Sequence, residues 1–192
     1  VYVDDAHGEG VLGEGGRGIV SHFELNRDQV HVEMGTFSKA FGVIGGHVTG
    51  NEDLRHFAYN KSRSWLLSGG VPPGVAAACI AAIDVLETEP THVKRVWENR
   101  EYFLKAMQDL GFDTGNSETP IVPVMCGDSK TAKDLADFIW TKGIFALPIV
   151  FPMVARDKAR IRVQLCTKHT NEHLDKAVQA FEEGGNRLRL IK

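Results

Sequence analysis

Lys39 has the most reactive setting in this 192-residue sequence: it stands in Gly35-Thr36-Phe37-Ser38-Lys39-Ala40-Phe41-Gly42, directly after a run at 31–34 that reads as a strand. Small neighbours and glycines allow a planar ligand to approach, and the Thr36 and Ser38 hydroxyls suit a phosphate. A lysine amine held away from water has a lowered pKa and serves as imine former and base. The plain alternative is a solvated lysine on a glycine-rich loop. A second candidate group is Asp4-Asp5-Ala6-His7, at the C-terminal end of the apolar run 1–3. Ligands of open α/β sheets bind at such strand ends. An acid there can pair with a protonated ring nitrogen, and a histidine three residues on can reach the same ligand. The alternatives are a turn capped by Asp5 with a solvated His7, or a metal site from Asp4, Asp5 and His7. The metal site is disfavoured because strand alternation separates its ligands.

One motif misleads. Gly8-Glu9-Gly10-Val11-Leu12-Gly13 matches the dinucleotide pattern Gly-x-Gly-x-x-Gly after a strand. Gly15, Gly16 and Gly18 follow where a helix should hold the pyrophosphate, and Glu9 and Glu14 would repel it. His169 and His173, four apart, could imitate a metal pair, but Thr170 between them reads as a helix cap, so no metal is expected.

These residues need an α/β scaffold. Strands are expected at 1–3, 31–34, 43–49, 121–125, 144–147 and 160–165. Helices are expected at 52–62, from Pro72-Pro73 to about Thr88, from a Thr91 cap to Gly111, from Lys130 to Gly143, and from Thr170 onward. The alternation defines an α/β chain. Apolar residues make up 43% and charged residues 24%, as in globular proteins, and the net charge of −3 gives no reason to expect nucleic acid or an anionic membrane surface. No apolar run is long enough to span a bilayer, and no signal-peptide pattern is seen. Cys79, Cys126 and Cys166 lie far apart and form no Cys-x-x-Cys pair, which fits a reducing, cytoplasmic setting. The opening on Val1-Tyr2-Val3 without methionine reads as an interior strand, which suggests a piece of a longer protein.

Asp4-Asp5-Ala6-His7, followed about thirty residues on by Gly35-Thr36-Phe37-Ser38-Lys39-Ala40-Phe41-Gly42, resembles the α-oxoamine synthase family of fold-type I pyridoxal-phosphate (PLP) enzymes. Further matches are Gly13-Glu14-Gly15-Gly16-Arg17-Gly18, the turn from Ser68 to Pro73, Ala159-Arg160-Ile161-Arg162 and His169-Thr170. The resemblance implies that the chain covers about the C-terminal half of such an enzyme. Residues 1–71 would belong to the large PLP-binding domain, 72–90 would be a connecting helix, and 91–192 a small C-terminal α/β domain. It implies that Lys39 carries the cofactor as a Schiff base, Asp4 pairs with the pyridinium nitrogen and His7 meets the phenolic oxygen. Thr36 would bind the phosphate, Ser68 would reach the neighbouring subunit's phosphate in a homodimer, and Arg162 would hold the substrate carboxylate. Gly70 departs from the family, which often has a hydroxyl residue there. The family's ring over PLP and its glycine-rich phosphate loop have no counterpart in these residues, so the 192-residue chain alone is expected to be inactive.

Within the family, Ile121-Val122-Pro123-Val124, Phe151-Pro152 and the segment from Arg160 to Gln164 look most similar to glycine C-acetyltransferase (2-amino-3-ketobutyrate CoA ligase). The expected reaction then joins glycine to acetyl-CoA. The alternatives are condensation of alanine with a longer acyl thioester, as in 8-amino-7-oxononanoate synthase, or a non-catalytic α/β domain that holds a phosphate or nucleotide.

Overall fold

The computed structural model describes residues 1–26 and 28–191. They form two compact units, Val1–Val93 and Lys94–Lys192.

The first unit carries a three-stranded sheet of β1 (Tyr2–Asp4), β2 (Val32–Thr36) and β3 (Gly46–Gly50), in that order. β1 runs parallel to β2, and β3 antiparallel to it. Between β1 and β2 the glycine-rich segment makes a 3-10 turn at Glu14–Gly16 and a one-turn helix, α1 (Ile19–His22). Helices α2 (Glu52–Lys61), α3 (Arg63–Leu66) and α4 (Pro73–Thr88) follow. Asn51 starts α2 by accepting the Leu54 N–H at 2.9 Å, and Pro73 starts α4, where a missing N–H costs nothing. The helix expected at 72–90 therefore exists, and it lies wholly within the first unit.

Apolar burial in this unit is sparse. Of the described buried apolar side chains only Cys79 belongs to it, while Val1, Tyr2, Phe57, Tyr59, Trp65 and Leu67 are exposed. The run 1–3 is a strand with a parallel neighbour, as its residue types demand, but within this chain two of its three side chains face outward.

The second unit has a full core. β4 (Ile121–Gly127), β5 (Leu147–Ile149) and β6 (Ala159–Gln164) form an antiparallel sheet in the order β4-β6-β5. Alternation is strict: Val122, Val124 and Cys126 of β4 and Ala159, Ile161 and Val163 of β6 are buried. They pack against α5 (Thr91–Asp109), α6 (Ser129–Thr141) and α7 (Asn171–Leu188) through Phe103, Met107, Leu135, Ile139 and Phe181, each 0% exposed. A methyl group on Gly185 of α7 would meet the Phe112 ring at 2.4 Å, so glycine permits the approach of ring to helix. Burial pushes the Cys126 thiol up to about 11, leaving it a packing group. The two edge strands each carry a proline, Pro123 and Pro148, and the central strand has none.

Several boundaries differ from expectation; the strand expected from Val43 begins at Gly46. The strand placed at 144–147 begins at Leu147, because Gly143 (φ +80°) ends α6 and the Ile144 N–H bonds back to Ile139 O at 3.0 Å, which consumes the next residues in a turn. Thr91, read as a cap, is the first residue of α5.

Candidate active site

The parallel pair β1 and β2 brings two of the sequence candidates to one edge. In register, Asp4 faces Met34, so alternation sets Asp4 and Thr36 on the same face of the sheet at the C-terminal ends of both strands. The Lys39 loop follows at once and is closed by its own backbone: Phe37 N–H donates to Gly45 O (3.0 Å), Val43 N–H to Phe37 O (2.8 Å), and Gly42 N–H to Lys39 O (3.1 Å). Lys39 Nζ lies 3.3 Å from His7 Nδ1, across 32 residues of sequence. Thr36 Oγ1 lies 2.9 Å from Ser38 Oγ and donates to Gly45 O at 3.2 Å. Asp4 is exposed, and its Oδ1 accepts the Ala6 N–H at 3.1 Å.

Lys39 itself is exposed. The chain's own residues therefore do not supply the desolvation expected of its amine. What they supply is position.

Asp5, the next residue, faces the other way and is 0% exposed. Its Oδ2 accepts the Ile19 N–H at 2.8 Å, which starts α1. Gly18 (φ +89°) is required here twice: the backbone is left-handed, and a Cβ would lie 2.0 Å from Asp5 Oδ2. On this same face stand Glu33 and His47, and the Glu9 carboxylate lies directly over Gly35, where a Cβ would meet it at 1.9 Å. Glu9 Oε1 pairs with His47 Nε2 at 2.9 Å, and the His47 ring stacks on Phe37, with centroids 5.3 Å apart and planes at 24°. The dinucleotide-like motif is thus a brace: Glu9 and His47 hold Phe37, two residues before Lys39. Sequence reading misses this pair, because its members are 38 positions apart and no local periodicity links them.

Burial raises the Asp5, Glu9 and Glu33 carboxyls above their ordinary values; neighbouring acid charge adds to the rise, and His47 opposes it for Glu9 and Glu33. A carboxyl raised in the folded state contributes stability that is complete below its unfolded pKa and is lost as pH rises through the folded value. Stability of the first unit is therefore expected to decline from the acid side toward neutrality. Glu33→Gln, which copies the protonated carboxyl beside Asp5, should raise the melting temperature near neutral pH and flatten this slope. An unchanged slope in a melting series across pH would refute the assignment.

The second unit holds Arg162 and the two histidines. Arg162 lies on β6 opposite Pro123 and Leu147, on the face turned away from the core. Its Nε is buried with no hydrogen-bond partner. It lines an open cleft of ≈ 610 Å³ together with Arg160 and Lys158. His169 and His173 serve the backbone: Cys166 N–H donates to His169 Nδ1 and Thr170 N–H to His173 Nδ1, each at 3.3 Å, the latter within a capping box that starts α7. Buried Asn99 donates to the carbonyls of Cys166 (2.9 Å) and His169 (3.0 Å), fixing the same segment from α5. Asn99 has no sequence signal apart from being polar on a helix face that is otherwise apolar. Ser68 is exposed, and its hydroxyl donates to Ser64 O.

An amine beside a histidine, an exposed carboxylate and a hydroxyl pair thus stand at the ends of the parallel strands of an α/β protein. The chain belongs to the aminotransferase class I and II family, whose model matches residues 1–181. It is 50% identical over 190 residues to 8-amino-7-oxononanoate synthase of Symbiobacterium thermophilum, covering 99% of this chain and 48% of that protein. It is 45% identical over 192 residues to a Thermus thermophilus protein named 8-amino-7-oxononanoate synthase/2-amino-3-ketobutyrate coenzyme A ligase, covering 100% of this chain and 49% of that protein. Among solved structures, a lysine-to-alanine variant of serine palmitoyltransferase from S. paucimobilis with bound PLP–myriocin aldimine matches at a TM-score of 0.91 and 27% identity, covering 100% of this chain and 48% of that one. The chain thus spans about half the length of the curated relatives it matches. The particular likeness to glycine C-acetyltransferase that the sequence suggests is not what these relatives support; 8-amino-7-oxononanoate synthases predominate among them.

Proposed function

We propose that this chain carries the lysine-bearing part of a PLP-dependent α-oxoamine synthase of the 8-amino-7-oxononanoate synthase type, which joins alanine to a long acyl thioester. The observation that carries the proposal is Lys39 Nζ at 3.3 Å from His7 Nδ1, at the strand ends that also present Asp4 and Thr36. This donor set fits PLP group by group: the Lys39 amine for its aldehyde, the Asp4 carboxylate for its ring N–H, His7 for its phenolic oxygen, and the Thr36 hydroxyl for its phosphate. When bound, PLP supplies the electron sink that makes an amino-acid Cα–H acidic.

The chain's own residues do the rest. The Lys39 amine takes the Cα proton, and His7 beside it orients the amine. Arg162 holds the amino-acid carboxylate through its guanidinium fork. Overall, a bond forms from Cα to the thioester carbonyl carbon as the C–S bond breaks. CoA leaves as its thiol, the amino-acid carboxylate leaves as CO₂, and Cα regains a proton. In the homodimer of this reading, Ser68 reaches the phosphate of the neighbouring subunit.

A second reading, glycine with acetyl-CoA, is favoured by the double name of the Thermus relative. In the complete enzyme, CoA release with alanine, glycine or serine against long and short acyl thioesters separates the two. The expected result is fastest release with alanine and a long chain; preference for glycine with acetyl-CoA would overturn it. A complete enzyme of this proposal that stays colourless, and that borohydride does not label at Lys39 after PLP is added, would sink both.

A further inference from the structure

The reaction above uses His7 and Lys39 and leaves the buried pair beside them, Glu9 and His47, without a role. The loop after β1 meets the Lys39 segment at more than His7. Gly10 lies against Ala40, where a Cβ on Gly10 would stand 2.4 Å from the Ala40 Cβ. Glu9 passes over Gly35 to reach His47 at 2.9 Å, and the His47 ring covers Phe37. Phe37 in turn meets Phe41 edge-on, with ring centroids 6.1 Å apart and planes at 79°. Lys39 is midway between these two rings in sequence. Phe37 also roots the loop through its backbone, with its N–H on Gly45 O and its carbonyl on the Val43 N–H. What fixes Phe37 therefore fixes the loop that carries the amine.

The tie to Phe37 is a single polar bond. Glu9 and His47 are shielded, with side-chain exposures of 15% and 28%. Glu9 Oε2 and His47 Nδ1 are buried with no hydrogen-bond partner among the described residues, which leaves the Oε1–Nε2 bond to join the pair. Burying a carboxylate costs stability, and the charges of Asp5 and Glu33 nearby add to the cost. An apolar pair at these positions would pack the sheet more cheaply. What the polar pair adds is one orientation of the imidazole, and with it one position of Phe37.

Resting on the reading of Lys39 as the amine that carries PLP, we infer that Glu9 and His47 are positioning residues for that lysine, fixing the root of its loop so that the amine stays beside His7. Both work from the face of the sheet opposite Asp4 and Thr36. Their loss should therefore slow proton transfer by Lys39 and leave substrate binding intact.

The test compares Glu9→Ala, His47→Ala, the double substitution and Glu9→Gln in the complete PLP-loaded enzyme. The alanine variants should lower kcat about ten- to a hundredfold, the scale for a small misplacement of a reacting group, with KM for amino acid and thioester unchanged. The double variant should be no slower than either single one, because all three break the same bond. Glu9→Gln keeps an oxygen that can accept from His47 Nε2 and should behave like the unaltered enzyme. Two readouts need no turnover. Borohydride labelling of Lys39 by added PLP should slow in the alanine variants, and amide exchange at Phe37 and Val43 should speed up while β1 keeps its rate. Unchanged kcat and loop exchange in the alanine variants overturn the inference. So does faster exchange throughout the sheet, a change in KM in place of kcat, or a Glu9→Gln variant as impaired as Glu9→Ala. If the unaltered enzyme takes up no PLP at Lys39, the reading of Lys39 fails. Loop exchange then decides the positioning by itself: a loop that loosens in the alanine variants and not in Glu9→Gln supports it, and equal exchange in all of them overturns it.

Discussion

In the complete enzyme of this proposal, Lys39→Ala is expected to lower condensation by about 10²–10⁴-fold, the range for removing a positioned acid–base group, and to abolish borohydride labelling by PLP. The expectation follows from placement. Lys39 is the amine on a loop closed by three backbone hydrogen bonds and braced by His47 against Phe37, and it meets His7 at 3.3 Å. Because Lys39 is exposed, its removal should leave stability within about 0.5 kcal/mol. A chemical loss without a folding loss is the signature to seek, with single-turnover rates and melting curves measured on the same preparation. Lys39→Arg keeps the positive charge and should fail equally, since a guanidinium stays protonated and makes a poor imine. Substantial turnover in either variant would remove Lys39 from the mechanism.

The largest structural effect belongs to the other unit. Phe181→Ala should cost about 3–5 kcal/mol, the usual range for deleting a buried aromatic ring. Phe181 is 0% exposed and meets two rings edge-on, Phe103 at 6.0 Å and Phe112 at 6.2 Å. Its loss would open a void where α5, α7 and the segment after α5 converge. The urea midpoint of helical circular dichroism, read with an unchanged m-value, measures this directly. A shift worth less than about 1 kcal/mol would mean that the core collapses around the gap.

Local chemistry explains which parts of the fold could be read from sequence. Pro72-Pro73 and Asn51 announce helix starts, Gly143 announces an end, and the alternation of Val122, Val124 and Cys126 announces a half-buried strand. Each signal is carried by residues within a turn or two of its effect. The site was legible to the extent that two short motifs, around Asp4 and Lys39, occur in order and meet across β1 and β2. The Glu9–His47 brace and the Asn99 bridge were not legible, because they depend on pairing between distant segments that only the folded chain defines. Leu147–Ile149 was misplaced because the apolar residues 144–146 look like strand in a window, while the backbone bond from Ile144 to Ile139 O spends them on ending a helix. Choice of substrate was not legible in the sequence for a related reason. Strand motifs such as Ile121-Val122-Pro123-Val124 report how the sheet packs.

The prolines of the second sheet have a consequence for how the chain behaves in concentrated solution. Pro123 and Pro148 sit on its two outer strands, and each lacks the N–H that an added strand would need. Intermolecular sheet growth is hindered at both edges, so fibrillar association should not begin there. The first unit has the opposite character, with Trp65, Leu66 and Leu67 turned outward side by side. Any tendency of this chain to precipitate should therefore originate in hydrophobic clustering of that stretch, and polar substitutions at those three positions should improve solubility more than any change to the strands of the second sheet.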